Sequence, residues 1–400
     1  MSTPHFHPSL TAIVCACLGM GLVACNEDNQ PGTAPSEINP ALAATAAPLF
    51  RVATTGWNHS CAISQENLAY CWGNNARGQL GTGDRVRRFT ATPVKGGLLF
   101  ENMDAGVRNT CGAGDDDKAY YWGENLPSGT WTQPKLVDET LRFVQVTTGF
   151  NHFCGITPEG KAYCRGENTD GQLGDGSTVD RATAVPVAGT RNYRQISTSD
   201  YHTCAVTRGD RAFCWGDNSV GQLGDGNTGG GSTSIHQLRP TAVAGGLEFR
   251  QITAGGAFTC ALTTDDLAYC WGVNRDGQLG DETLVDRPTT VPVHGGKRFL
   301  QIQAGENQVC GVTLDHRGFC WGRGGEGQLG NGAFESISHG MKPQLVRGGL
   351  IWSLMAAGGL HSCGVTMDGV AYCWGKNDQG QLGDGTQVSR SRPVAVLGPS

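Results

Sequence analysis

The chain has 400 residues, 61 of them glycine, a formal net charge of -6, and only 16% charged residues. That much glycine without a three-residue period excludes collagen, and 38% apolar content with nine tryptophans excludes wholesale disorder. Beyond the N-terminus no apolar run is long enough for a membrane-spanning helix. The densest basic group is Arg85, Arg87 and Arg88, too small for the Lys/Arg stripe a phosphate backbone demands, so nucleic acid is not an expected partner.

In chain order, the first feature is an apolar stretch from Leu10 to Ala24, too short to cross a bilayer but suited to the core of a signal peptide. It ends in Leu22-Val23-Ala24-Cys25, which resembles a bacterial lipobox and makes Cys25 the candidate lipidation site. The n-region departs from that pattern, having no Lys or Arg; a soluble secreted protein cut nearby is the alternative. Residues 26–48 are polar and then Ala/Pro/Thr-rich without periodicity, the composition of a disordered, flexible tether. The expected organisation is therefore a signal segment over 1–25, a linker over 26–48, and a folded domain over 49–400.

That domain is one unit written seven times. Cys71-Trp72-Gly73 returns as CWG at Cys214, Cys270, Cys320 and Cys373, with degenerate copies at Tyr121-Trp122-Gly123 and Cys164-Arg165-Gly166. Successive copies lie 43 to 56 residues apart. GQLG follows at Gly78, Gly171, Gly221, Gly277, Gly327 and Gly380, and the second copy alone lacks it. Within the fifth copy, Phe249 to Ala254, Thr259 to Thr263, Leu267 to Trp271 and Thr289 to Val293 read as short strands separated by Gly- and Asp-rich turns. Four strands per unit, seven times over, predict an all-β, seven-bladed propeller of four-stranded blades. A solenoid competes, but it would want atypical end repeats, and here the first and last copies match well. Ring closure is expected from a strand near Phe50-Arg51-Val52 pairing in the same blade as Pro393 to Val396.

The run from Gly358-Gly359-Leu360-His361-Ser362-Cys363 through Cys373-Trp374-Gly375 to Gly380-Gln381-Leu382-Gly383 resembles the regulator-of-chromosome-condensation repeat. The resemblance covers roughly 49–400. It implies a seven-bladed propeller, and little about function, since that family ranges from nuclear exchange factors to secreted inhibitors.

Six cysteine pairs stand ten residues apart: Cys61/Cys71, Cys154/Cys164, Cys204/Cys214, Cys260/Cys270, Cys310/Cys320 and Cys363/Cys373. Each pair flanks a hairpin turn symmetrically, so its members face each other across an antiparallel pair, within disulfide range. Zinc would want CxxC or CxxH spacing, which does not occur. Cys111 has Tyr121 at its partner position and is expected to be a lone, buried thiol. With this many cysteines an oxidising compartment is expected, in accord with export.

Candidate chemistry is thin. His59, His152, His202 and His361 precede a hairpin cysteine by two residues, but Asn109, Phe258 and Gln308 stand there in other copies, so bonding within the blade's own backbone is expected rather than a metal ring. The Asp-Gly loops lack the ligand spacing of a calcium loop. No nucleophile, metal or paired-carboxylate motif supports an enzyme, and no metal or cofactor is expected. What varies between copies is the loop from first to second strand: Trp57-Asn58, Val107-Arg108, Phe150-Asn151, Tyr201 and Glu306-Asn307. Trp57, Arg108, Phe150, Tyr201, Glu306 and Asn307 are the candidate binding residues, aromatic and Arg anchors being the stuff of protein-binding hot spots. The alternative is that the aromatics plug the ring's mouth. The insertion from Asn227 to Arg239 is a second candidate contact. The expected function is an exported, monomeric, non-enzymatic scaffold for a protein partner, in the cell envelope or secreted, touching membrane only through a lipid. Guanine-nucleotide exchange, which the resemblance implies, and a carbohydrate-binding or enzymatic propeller are the alternatives.

Overall fold

The computed structural model describes residues 47–125, 129–228, 236–334 and 340–399. The signal segment, Cys25, nearly all of the tether and most of the Asn227 to Arg239 insertion therefore lie outside the described residues. The rest is all-β: seven four-stranded antiparallel sheets, each contiguous in sequence, over 50–93, 100–136, 145–186, 193–242, 249–292, 299–345 and 352–395. Blade 1 holds β1 (Phe50–Thr55), β2 (His59–Ser64), β3 (Ala69–Gly73) and β4 (Arg88–Pro93), paired in that order. Blade 2 repeats the plan with β5 (Phe100–Ala105), β6 (Asn109–Gly114), β7 (Ala119–Asn125) and β8 (Gly129–Leu136). The first strand of every blade lines the axis, and the middle two are almost wholly buried.

Apolar side chains gather between blades rather than within them. Among the described residues seven core clusters stand one at each joint; six combine the Leu of GQLG with the first strand and Trp of the next blade, and the joint of blades 2 and 3 uses Tyr121, Phe143 and Phe153 instead. Trp72, Trp122, Trp215, Trp271, Trp321 and Trp374 are fully buried there. A glycine follows at the close approach: a side chain on Gly224, whose φ is +70°, would meet the Trp271 ring at 2.6 Å.

The ring closes differently from the expectation. Phe50-Arg51-Val52 sits in blade 1 and Pro393 to Val396 ends in or beside blade 7, so no blade is shared between the termini. The repeat as written starts with a first strand and ends with a fourth, leaving no strand over for a neighbour. Closure uses the same apolar joint as elsewhere, with Phe50, Ala53 and Trp72 packed on Cys363, Leu382 and Val396. Backbone bonds add to it, among them Phe50 N–H to Gly369 O at 2.7 Å, and Ala91 N–H to Leu397 O and Gly385 N–H to Phe89 O, both 2.9 Å.

The six cysteine pairs are disulfides, each directly opposite across the second and third strands with Cα atoms 4.0–4.1 Å apart. Cys111 faces Tyr121 in the same register and is free and buried. Burial first, then the nearby Asp104 carboxyl, push its thiol pKa well up.

Candidate functional site

The histidines are neither an axial ring nor ligands of their own blade's backbone. His59, His152, His202 and His361 each place Nε2 2.7–2.9 Å from a hydroxyl of the next blade: Thr110, Thr203, Thr259 and, across the closure, Ser60. That hydroxyl donates its one proton back to the Gln carbonyl of the first blade's GQLG loop, as from Ser60 to Gln381 O at 2.8 Å. It must therefore accept from the ring, which fixes the Nε2–H tautomer. In three of these four relays the indole N–H of the next Trp shares the same carbonyl, as from Trp271 to Gln222 O at 2.9 Å; Trp122, beside Gln79, makes no such bond. Burial holds His59, His152 and His361 down to about 3, and His202 to about 4, so all four are neutral.

The Asp-Gly loops are likewise committed internally. Asp175, Asp281 and Asp384 accept from Asn168, Asn274 and Asn377 and pair with Arg181, Arg287 and Arg390.

The loops joining first to second strands emerge on the same face as those joining third to fourth. There they are stitched by backbone bonds from blade to blade, such as Glu306 N–H to Gly358 O and Gly359 N–H to Gly56 O. Asn109 takes the histidine position in blade 2 and donates to Phe150 O at 2.8 Å, which sets the next loop. The rim carries a cleft of about 580 Å3 lined by Trp57, Val107, Arg108, Phe150, Asp200 and Tyr201, with Asn58, Asn74, Ala76, Arg77 and Gln79 along one wall. The Arg108 guanidinium lies 5.9 Å from the centre of the Phe150 ring. Glu124 holds Arg108 at 3.3 Å and Arg77 at 3.8 Å. Tyr201 is 43% exposed.

Four expected residues, Trp57, Arg108, Phe150 and Tyr201, thus come together. Glu306 does not join them: it lines an adjoining recess of about 100 Å3 on the axis, shared with Trp57, Asp104 and Asp200. Asn307 lines neither. Burial, and for Glu306 also the charge of Asp200, raises the pKa of Asp200 and Glu306 above the usual carboxylate range. Asp104 is raised by burial too, against donors from Thr148, Thr147 and Thr54.

Arg77, Asn74 and Gln79 were not singled out from the sequence. The signal was there: the residue before GQLG is Asp170, Val220, Asp276, Glu326 or Gln379 in the other copies, and cationic only at Arg77. The cleft itself follows from a missing loop. Residues 74–87 separate the third and fourth strands of blade 1, whereas in blade 2 the third strand ends at Asn125 and the fourth begins at Gly129. The same joint has lost its Trp, replaced by Arg165, whose guanidinium lies 5.3 Å and 5.8 Å from the ring centres of Tyr121 and Trp131. The pairing is coherent: without GQLG in blade 2 there is no Gln carbonyl for an indole of blade 3 to meet.

A family model described as the regulator of chromosome condensation (RCC1) repeat matches residues 66–103, 159–206, 210–262, 265–312, 315–365 and 368–400. A second model of that description matches 52–79, 143–172, 193–222, 249–278 and 352–381. Human E3 ubiquitin-protein ligase HERC2 is 30% identical over 181 residues, which is 42% of this chain but only 4% of that protein's length. Among solved structures, human WBSCR16 superposes with a TM-score of 0.73 at 20% identity, over 83% of this chain and 95% of its own. Prp20p of Saccharomyces cerevisiae, a structure reported with its binding to Gsp1p and histones, gives 0.70 at 21%, over 80% and 83%. At such identities the likeness is one of fold.

Proposed function

The chain belongs to the regulator of chromosome condensation (RCC1) repeat family, and from that premise we propose that it is an exported, non-enzymatic scaffold that holds a protein partner on its cleft-bearing face. One observation carries the reading. Repeated residues build the joints, whereas the aromatic and Arg side chains that differ between copies converge on one cleft, where a loop is missing. Trp57, Phe150 and Tyr201 around Arg77 and Arg108 have the composition of a recognition hot spot, on loops held by a rigid frame.

Export is supported by the six buried disulfides, which call for an oxidising compartment. Among the described residues no helix is long and apolar enough to cross a membrane. Lipidation at Cys25, a monomeric state and the absence of nucleic-acid partners belong to the same reading, the last supported by the net charge of -6. Nucleotide exchange is the second reading, favoured by the fold shared with Prp20p. The disulfides weigh against it, because a cytosolic or nuclear GTPase does not share their compartment. Mass spectrometry of the protein from its native cells separates the two. A mature chain starting at or near Cys25 with oxidised pairs is expected; an uncut chain with twelve reduced thiols at those positions restores the exchange reading.

A further inference from the structure

The rim has a polarity that its aromatic residues conceal. The first variable positions of the loops hold, in chain order, Trp57, Val107, Phe150, then Asp200, Gly256, Glu306 and Gly359; all but Phe150, which faces the cleft, line the axial recess. One arc is apolar and the other acidic. Gly256, between the two acidic blades, has no side chain, and Glu306 leans into the space: a Cβ there would meet the Glu306 carboxyl at 2.7 Å. Trp57 leans in the same way over Gly359, whose Cβ would meet the indole at 3.2 Å.

Neither Asp200 nor Glu306 has a side-chain hydrogen bond or ion pair among the described residues, unlike Asp104, which accepts from Thr54, Thr147 and the Thr148 amide. Among the described residues none of the recess lining is Lys, Arg or His. Thr55, also on its wall and 5% exposed, keeps a hydroxyl with no partner. Acceptors withdrawn from water without donors are costly, and two half-buried carboxyls sharing one recess more so. Trp57 and Asp200 line both the recess and the cleft, so the two are continuous. At the far end of the cleft stand Arg77 and Arg108.

We propose that cleft and recess form one docking site for a protein loop that inserts a lysine or arginine side chain at the axis, between Asp200 and Glu306, and lays an adjacent apolar residue on Trp57 and Tyr201. This rests on the scaffold reading and deepens it by naming the anchor. The cation supplies the donors that both carboxyls and the Thr55 hydroxyl lack, and the aromatic arc covers its aliphatic stem. Its arrival favours the charged carboxylates, so binding releases protons and tightens as pH rises. Asp104, Asp200, Glu306 and Tyr201 are the titratable groups facing the cation, with Arg77 and Arg108 at the far end of the cleft.

The test is calorimetric titration of the full-length protein with the peptide Ac-Gly-Lys-Leu-Gly-NH2 and with its norleucine counterpart, at pH 6 and pH 8.5. The lysine peptide is expected to bind at least ~10-fold more tightly than the norleucine peptide, with the preference larger at pH 8.5. Asp200→Asn with Glu306→Gln should abolish both the preference and its pH dependence while keeping the melting temperature. Should that pair fail to fold, Glu306→Gln alone carries the comparison. Equal binding of the two peptides, no binding of the lysine peptide, or saturation of the recess by calcium chloride in its place overturns the proposal. If a cellular partner is lost on changing Trp57 and Tyr201 but unaffected by the carboxyl variants, the scaffold reading stands and only the axial anchor falls.

Discussion

A buried histidine that must stay neutral ties this fold to pH. Unfolded, each ring binds a proton near pH 6.5; folded, His361 does so only near 3, because burial disfavours its charge. The unfolded chain therefore holds more protons between those values, and the stability each histidine gives is lost as pH falls below about 6.5. Asp200 and Glu306, shifted upward, work in the opposite sense, so a variant comparison isolates one site. Gln308 occupies the histidine position in blade 6, where its amide donates to Gly358 O at 2.9 Å, which makes glutamine a compatible replacement. His361→Gln should accordingly lose about 2 kcal/mol less stability than wild type between pH 7 and pH 5 in denaturant titrations. An unchanged difference would mean that the His361 ring is not held neutral. Sequence period marked these histidines but not their partners. Periodicity tells that a residue recurs, and not that it meets a hydroxyl in the following copy.

The blade is the element, and its two stabilising devices are separable. The disulfide closes a ten-residue loop within one blade, so replacing Cys260 and Cys270 together by Ser should cost about 2–3 kcal/mol and leave folding intact. Peptide mapping without reduction should link only cysteines ten apart and find Cys111 alkylated only after unfolding; a bridge between blades would contradict the register. Trp271 instead belongs to the joint between blades 4 and 5, packed against Leu223 and bonded to Gln222 O. Trp271→Ala should cost about 3–5 kcal/mol, read from the same denaturation curves. Strand positions and cysteine partners were legible because both are local: the fifth-copy strands fall within two residues of their expected ends. Closure was not, since it depends on which strand begins the repeat, and the chain text does not mark that phase. The cleft was half legible. The missing GQLG of the second copy was plain, but that its absence opens space beside Trp57 and Arg108 requires the ring.

For the whole molecule, six joints of one plan and one departing from it make a frame whose rim can vary without cost to the core, and variation is concentrated where the pattern breaks. Blade 2 has no disulfide and no GQLG, and blade 3 has no Trp at the shared joint; the largest cleft among those described opens beside them. Departures of this kind are expected at sites kept for something other than stability. The central claim is that a protein partner is held on that face by side chains the fold does not need. The direct measurement is retention of a native-envelope protein by the full chain, compared between wild type, the Trp57→Ala/Tyr201→Ala pair, and Met367→Ala, whose exposed side chain lies in a hairpin on the opposite face. Wild type and the Met367 variant should retain the same protein, and the double variant should bind it at least ~30-fold more weakly with its melting temperature little changed. Undiminished binding by the double variant, above all if it melts early, would make Trp57 and Tyr201 plugs of the ring's mouth and contradict the account.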